Sequence, residues 1–174
     1  MTIETVGVVG CGLMGAGIAE VCATHGLDVT VVEADIAALE AGQHRISKSL
    51  ARAVSRGKLE NDAATTAKSR LHFTTDLDEM ADRQLVVEAI VEAEVPKVAL
   101  FKQLDQVVEA DDAILASNTS SIPVMKLAMA TRRPENVIGI HFFNPVPVMK
   151  LVEMVTSLLT SEETAEKAKA FAVG

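Results

Sequence analysis

Short runs of apolar, mostly β-branched residues alternate along the chain with longer segments in which apolar residues recur every three or four positions. The first pattern is typical of buried strands and the second of helices that pack one face on a sheet. This alternation predicts an α/β protein whose mostly parallel sheet is covered by helices on both faces. The predicted strands are Thr5 to Val9, Asp28 to Val32, Leu71 to Thr74, Leu85 to Ala89, Ala113 to Ala116 and Val137 to His141.

Two further segments have helical patterns. The stretch from Asp62 to Ser69 predicts a helix before the short strand that begins at Leu71. Ala165 to Val173 predicts another helix, which ends at Gly174, a residue type that commonly follows a helix C-terminus.

Polar or glycine-rich residues follow the predicted strands. In open α/β sheets, ligands bind outside the carboxyl ends of the strands, so these residues predict a binding site at one edge of the sheet. They are Gly10 to Gly15, Glu33, Glu88 with Glu92, Ser117 to Ser121, and His141 with Asn144.

The size and charge of the chain limit the number of domains and the kinds of partner that it is expected to have. With 174 residues, 49% of them hydrophobic, we expect a single domain over residues 1–174 with a buried core. A formal charge of −8 gives no attraction to nucleic acid or to anionic membranes. No apolar run approaches the ~20 residues that span a bilayer, and Met1 to Glu4 lacks the basic start of a signal peptide. We therefore expect a cytoplasmic protein with a small-molecule substrate. Cys11 and Cys22 are predicted to be small apolar residues rather than a disulfide.

The sequence Gly10-Cys11-Gly12-Leu13-Met14-Gly15 lies between the first predicted strand and a helix. Its glycines have the G-x-G-x-x-G spacing, which permits a tight turn, close approach of a pyrophosphate and close helix packing. Glu33 follows the second strand about twenty positions later, where a carboxylate accepts hydrogen bonds from a ribose and repels a 2′-phosphate. This βαβ pattern predicts a doubly wound, Rossmann-like domain that binds NAD rather than NADP. No metal site is predicted.

His141 lies at the end of the last predicted strand, and Glu153 lies in a second apolar run, Leu151 to Val155. If the loop between them folds the two runs together, the carboxylate can reach the imidazole, an arrangement that makes a general base near neutral pH. A purely structural histidine–glutamate hydrogen bond is the alternative interpretation.

Basic residues cluster between Glu40 and Glu60, where the sequence has no acidic residue. Helical spacing puts four of them on one face, with Ser49 at its flank. This face is either a solvated surface or a site for a substrate with several phosphates, such as coenzyme A. The four residues are Arg45, Lys48, Arg52 and Arg56, and Lys58 follows them.

Four motifs in order resemble the 3-hydroxyacyl-CoA dehydrogenase family, including its bacterial 3-hydroxybutyryl-CoA members. They are Gly10 to Gly17 (GCGLMGAG), Leu85 to Glu92 (LVVEAIVE), Ala116 to Ser121 (ASNTSS) and His141 to Glu153 (HFFNPVPVMKLVE). The resemblance extends over essentially the whole chain. It implies an NAD-dependent oxidoreductase of fatty acid or butanoate metabolism that interconverts L-3-hydroxyacyl-CoA and 3-ketoacyl-CoA.

The resemblance also implies roles for individual residues. His141 would be the catalytic base, Glu153 would orient it, and Ser120 and Asn144 would hold the substrate and the nicotinamide. Arg56 stands where the family often has lysine, so its phosphate contact differs in geometry. The implied cofactor-binding residues are Gly10, Gly12, Leu13, Met14, Gly15, Glu33, Glu92, Lys97, Ser120 and Asn144, and the implied coenzyme A or substrate contacts are Ser49, Arg56 and Ser120.

Members of this family continue past the position of Gly174 into a last strand and a helical domain that closes over the acyl-CoA and forms a homodimer. We therefore expect this chain to be the cofactor domain, with turnover well below that of a full-length relative. Two other functions stay open at this stage: a non-catalytic NAD(H)-binding module, and a dehydrogenase that acts on a free hydroxy acid.

Overall fold

A computed structural model describes residues 2–173 of the chain. Seven strands form one sheet in the order β3-β2-β1-β4-β5-β6-β7. All neighbouring strands are parallel except β6 and β7, which are antiparallel. The strands are β1 Thr5–Val9, β2 Asp28–Val32, β3 Leu71–Thr74, β4 Leu85–Glu88, β5 Ile114–Ser117, β6 Val137–Phe142 and β7 Val152–Val155.

Helices connect the parallel strands and cover both faces of the sheet. They are α1 Leu13–Thr24, α2 Ile36–Ser55, α3 Asn61–Ser69, α4 Glu94–Val107, α5 Val124–Ala128 and α6 Glu162–Val173, with short 3-10 turns at Leu77–Met80 and Pro134–Asn136. This architecture confirms the predicted Rossmann-like, doubly wound fold.

The hydrophobic core has two parts, one on each face of the sheet, because successive side chains of a strand point to opposite faces. In β1, Val6 and Val8 belong to the part covered by α1, whereas Val9 belongs to the part covered by α4. The buried Cys11 and Cys22 pack in the first part, as the sequence predicts for small apolar residues. Burial raises the pKa of the Cys22 thiol to about 12.

Some predicted strand ends were wrong by one residue. β4 ends at Glu88 rather than Ala89, because the chain turns there into the segment that leads to α4. β5 lies one residue later than predicted at both ends: it begins at Ile114, since the Ala113 amide donates to Ala110 in a turn, and it ends at Ser117, which still pairs with Glu88 of β4 and Gly139 of β6. β6 continues one residue past His141, where Phe142 pairs with Val152 of β7.

The helices predicted from Asp62 and from Ala165 begin slightly earlier, at Asn61 and Glu162. The predicted helix end at Gly174 lies outside the described residues. Within residues 2–173, no helix is both long and apolar enough to cross a membrane.

Candidate active site

The glycine loop between β1 and α1 is built for close backbone approach. A Cβ at Gly15 would lie 1.8 Å from the Gly10 carbonyl oxygen, so only glycine lets α1 begin this close to the loop. Gly10 has a φ of 93°, a conformation that favours glycine. A Cβ at Gly12 would meet nothing within 4 Å, and it would project into open space beside the N-terminus of α1. Open space beside free N–H groups suits a pyrophosphate.

Glu33 directly follows β2 and is fixed to this loop. Its Oε1 accepts a hydrogen bond from the Cys11 amide at 2.5 Å, and its Oε2 accepts one from the Ala34 amide at 3.1 Å. On the other side, Nη1 of Arg45 donates to the Cys11 carbonyl at 2.8 Å. Burial and the Glu33 charge raise the pKa of the Cys11 thiol to about 11, against the opposing effect of Arg45. The loop is therefore held by a carboxylate and a guanidinium.

A cleft of about 330 Å³ opens at the carboxyl ends of β4, β5 and β6. This is the edge of the sheet at which the sequence predicts ligand binding. The cleft brings together several predicted site residues from segments far apart in the sequence, namely Met14, Glu92, Lys97, Ser120, His141 and Asn144.

The imidazole of His141 and the carboxylate of Glu153 are paired across the two antiparallel strands. His141 lies directly opposite Glu153 in the β6–β7 register, and their Nδ1 and Oε2 atoms are 2.9 Å apart. The His141 side chain is 21% exposed and that of Glu153 is 54% exposed. The ring of Phe143 packs against the imidazole with a centroid distance of 4.7 Å. The predicted contact between the two groups is thus present, with the imidazole at the cleft and the carboxylate behind it.

A buried ion cluster forms the adjacent wall of the cleft. Lys97, in the first turns of α4, donates to Oε1 and Oε2 of Glu88 at 2.8 and 3.0 Å. The same ammonium lies 2.9 Å from Oε2 of Glu92. The Glu88 and Lys97 side chains are 0% and 1% exposed, whereas that of Glu92 is 39% exposed. Glu88 also accepts hydrogen bonds from the Ser117 hydroxyl at 2.6 Å and the Ile90 amide at 2.8 Å.

Glu92 holds the loop that carries Ser120. Its Oε1 accepts hydrogen bonds from the Thr119 hydroxyl and from the Ser120 and Ser121 amides, the latter two at 3.1 and 3.2 Å. Partial burial acts to raise the pKa of Glu92, but hydrogen bonds from Thr119, Lys97 and Ser121 outweigh it and lower this pKa to about 2. Glu92 therefore carries a negative charge at any physiological pH.

Two residues of this site were predicted to lie at this edge of the sheet but were given no individual role. Glu88 was recognised only as one of the carboxylates after a strand, yet it is the buried partner of Lys97. Asn118 connects the ends of two strands, because its Oδ1 accepts a hydrogen bond from the Phe142 amide at 2.8 Å. The signal that could have found Asn118 is its position directly after β5, in the same serine-rich motif as Ser120.

The loop that carries Asn144 packs on α1. Val146 is buried, and a Cβ at Gly17 would lie 2.8 Å from the Val146 Cβ. The absence of a side chain at Gly17 therefore lets this loop lie against the helix that follows the glycine loop.

The basic residues of α2 lie apart from the cleft. Lys48, Arg52 and Arg56 are exposed, and Arg56 caps the C-terminus of α2 instead of lying within it. Arg45, predicted as part of the same face, contacts the glycine loop because its long side chain extends to Cys11. Ser49 donates to Oε1 of the buried Glu20 at 2.9 Å.

No group of three or more histidine, cysteine, aspartate or glutamate residues in the described part of the chain could hold a metal ion.

The doubly wound sheet, the open glycine loop and the imidazole–carboxylate pair at one sheet edge define a dinucleotide-binding domain of the dehydrogenase type. Comparison with known proteins gives the family. Residues 5–174 match the family described as 3-hydroxyacyl-CoA dehydrogenase, NAD binding domain, and the chain belongs to it. Its cofactor is NAD, as the sequence predicts.

Individual relatives agree with this assignment. The chain is 55% identical over 170 residues to 3-hydroxybutyryl-CoA dehydrogenase of Mycobacterium tuberculosis, covering 98% of this chain and 59% of the relative. The crystal structure of FadB2 from M. tuberculosis superposes with a TM-score of 0.98 at 55% identity, over 99% of this chain and 60% of that one. (S)-3-Hydroxybutyryl-CoA dehydrogenase PaaH1 from Ralstonia eutropha gives a TM-score of 0.96 at 42% identity, with the same coverage. The chain thus spans about three fifths of the length of these relatives.

Proposed function

We propose that the protein is an NAD-dependent dehydrogenase that interconverts L-3-hydroxyacyl-CoA and 3-ketoacyl-CoA, with 3-hydroxybutyryl-CoA as its substrate. The observation that carries the proposal is the His141–Glu153 pair, 2.9 Å apart, at the cleft that opens beside the glycine loop. The printed names of the relatives support the substrate class.

His141 is proposed to move the proton of the substrate hydroxyl. When Nδ1–H donates to the Glu153 carboxylate, Nε2 keeps its lone pair and can accept a proton. Glu153 orients the ring and stabilises the imidazolium that forms. NAD, when bound, supplies the acceptor for the hydride that leaves the carbon of the same alcohol. In the reductive direction the imidazolium donates its proton to the ketone oxygen.

Ser120 and Asn144 are proposed to hold the substrate and the nicotinamide end of the cofactor. Both line the cleft with His141. The Glu92 carboxylate fixes the backbone of Ser120 by accepting its N–H, which leaves the serine hydroxyl available to donate to the reacting oxygen. Gly10, Gly12 and Gly15, with Leu13 and Met14, form the proposed pyrophosphate site, and Glu33 is the proposed ribose acceptor.

Ser49 and Arg56 are proposed to contact coenzyme A. The supporting observation is that α2 presents exposed positive charge in a protein with a net charge of −8. Replacing Arg52 and Arg56 by glutamine should raise KM for acetoacetyl-CoA and leave any reduction of free acetoacetate nearly unchanged. Equal effects on both substrates would contradict a phosphate contact on this helix.

The test of the proposed activity is NADH oxidation with acetoacetyl-CoA. His141→Ala should abolish turnover while NADH still binds. The control is His25→Asn, which changes an exposed histidine at the end of α1 that lies away from the glycine loop, and it should behave as the unchanged protein. The mycobacterial relative serves as a control in two forms, one at full length and one cut to the residues that match this chain. The activity of the cut form shows how much turnover the matched portion supports by itself. If the cut form of the relative is active, and this chain binds NADH but does not reduce acetoacetyl-CoA, the proposal is contradicted.

The whole protein is further proposed to act in the cytoplasm as a homodimer. Cell fractionation and light scattering of the full-length protein test these two points.

A further inference from the structure

The ion cluster in the cleft wall contains an unbalanced charge. Two carboxylates, Glu88 and Glu92, share the single ammonium of Lys97, which leaves one net negative charge. Glu88 is fully buried and cannot contact a ligand itself, and Glu92 and Lys97 line the cleft. Burying an ion pair is unfavourable unless its hydrogen bonds are complete, and the partly buried third charge of Glu92 adds to that cost.

Neutral donors compensate the extra charge without cancelling it. The Ser117 hydroxyl and the Ile90 amide donate to Glu88. The Thr119 hydroxyl and the Ser120 and Ser121 amides donate to Glu92. Hydrogen bonds of this kind stabilise the charged form of a carboxylate, and the lowered pKa of Glu92 is consistent with this effect. The cluster is therefore constructed to keep its net charge.

We infer that the Glu88–Lys97–Glu92 cluster sets the preference of the site between the two redox forms of the cofactor. The nicotinamide ring is positively charged in NAD⁺ and neutral in NADH. A fixed negative charge in a weakly hydrated wall attracts the first and not the second, so the cluster raises affinity for NAD⁺ relative to NADH. This inference rests on the proposed position of the nicotinamide beside His141, and it makes Glu88 a specificity-determining residue that acts at a distance.

Other charges face the same cleft. The His141 imidazole lies there with Glu153 behind it, and α4 begins at Glu94 with the partial positive charge of a helix N-terminus. These groups are identical in the variants below, so their contributions cancel when a variant is compared with the unchanged protein.

The measurement is the pair of dissociation constants for NAD⁺ and NADH, obtained by titration calorimetry at one ionic strength. Glu88→Gln and Glu92→Gln each remove one negative charge with little change in shape. Each should lower the preference for NAD⁺ over NADH by about 3- to 30-fold, the range that Coulomb's law gives for one charge about 8 to 25 Å away at an effective dielectric constant of about 20. Ser117→Ala is the matched control, since it removes a hydrogen bond from Glu88 without changing the charge, and it should leave the ratio within about twofold.

An unchanged ratio in both glutamine variants would overturn the inference, and so would an equal fall in Ser117→Ala, which would indicate a packing effect. If Glu88→Gln does not fold, Glu92→Gln decides the question alone, because its side chain is partly exposed and tolerates replacement better. If the ratio of the two dissociation constants shifts in the glutamine variants but the unchanged protein does not reduce acetoacetyl-CoA, the inference is supported and the proposed substrate is contradicted. If the unchanged protein binds neither NAD⁺ nor NADH, both the inference and the proposed function are contradicted.

Discussion

Replacing Gly12 by alanine should separate cofactor binding from folding. A Cβ at Gly12 would meet no protein atom within 4 Å, and its φ of −64° is one that alanine adopts freely. Alanine is a poorer N-cap than glycine by a few tenths of a kcal/mol up to about 1 kcal/mol. It also reduces the entropy of the unfolded chain by about 0.4 to 1 kcal/mol. These effects nearly cancel, so we expect the free energy of unfolding to change by less than about 0.5 kcal/mol.

The effect of Gly12→Ala on NADH binding should be much larger. The new methyl group would project beside the N-terminus of α1, where the free N–H groups are proposed to receive the pyrophosphate. Loss of one hydrogen bond to a charged group costs about 1.5 to 3 kcal/mol. This corresponds to a roughly 10- to 150-fold weaker affinity for NADH.

Gly15→Ala is the contrasting variant. Its Cβ would lie 1.8 Å from the Gly10 carbonyl oxygen, so the backbone itself must move. Overpacking of this kind costs about 1 to 3 kcal/mol, which lowers Tm by about 2 to 4 °C for each kcal/mol in a chain of this size.

The assays for this pair are thermal unfolding and NADH fluorescence titration. The reasoning is refuted if Gly12→Ala binds NADH as the unchanged protein does, because the phosphates would then lie elsewhere. It is also refuted if Gly12→Ala and Gly15→Ala lose equal stability.

Three other substitutions have distinct expected outcomes. Glu153→Gln should lower kcat for acetoacetyl-CoA reduction by roughly 10²- to 10⁴-fold, because the imidazole loses the carboxylate that orients it. The affinity for NADH should stay within about twofold of that of the unchanged protein. An unchanged kcat would show that the His141–Glu153 contact is purely structural. Gly17→Ala should push Val146 away from α1 and destabilise the protein by about 1 kcal/mol in thermal unfolding, and an unchanged Tm would mean that the loop adapts without cost. Because the pKa of Glu92 is lowered from 4.5 to about 2, its ionised form stabilises the fold above about pH 4.5, and this contribution disappears as the pH falls towards 2. Acid titration of Glu92→Gln should therefore show a shallower loss of stability in that window than the unchanged protein, and identical curves would contradict the assigned hydrogen bonds.

The strands followed from hydrophobic patterning, and the edge of the sheet at which the cleft opens followed from the polar and glycine-rich residues after them. β1, β2 and β3 have the predicted bounds, because in each a short apolar run is enclosed by polar or glycine residues. The contact of His141 with Glu153 could be predicted because both lie in apolar runs separated by a short loop. Strand ends were less certain, since they depend on pairing with a neighbouring strand, as at Phe142.

The ion cluster could not be predicted in the same way. In the sequence, Glu88 looks like any carboxylate at the end of a strand, and only the path of α4 over that end brings Lys97 to it. The contact of Arg45 with the glycine loop was missed for a related reason. Helical spacing predicts the face from which a side chain leaves, whereas the position of a long, flexible guanidinium depends on the neighbouring elements. The roles assigned to the individual site residues stay predictions until the variants above are measured.

The alignment of β6 with β7 has a consequence for how this protein can change. Because His141 and Glu153 face each other as a cross-strand pair, their contact depends on strand register as well as on the two residues themselves. Side chains alternate between the two faces of a sheet, so deleting one residue within β7 would turn the carboxylate to the opposite face and leave the imidazole alone. Insertions in the exposed part of the loop, from 148 to 151, leave that alignment and the packing of Val146 on α1 intact. Natural variation in length should therefore be tolerated in the loop and excluded from the strand.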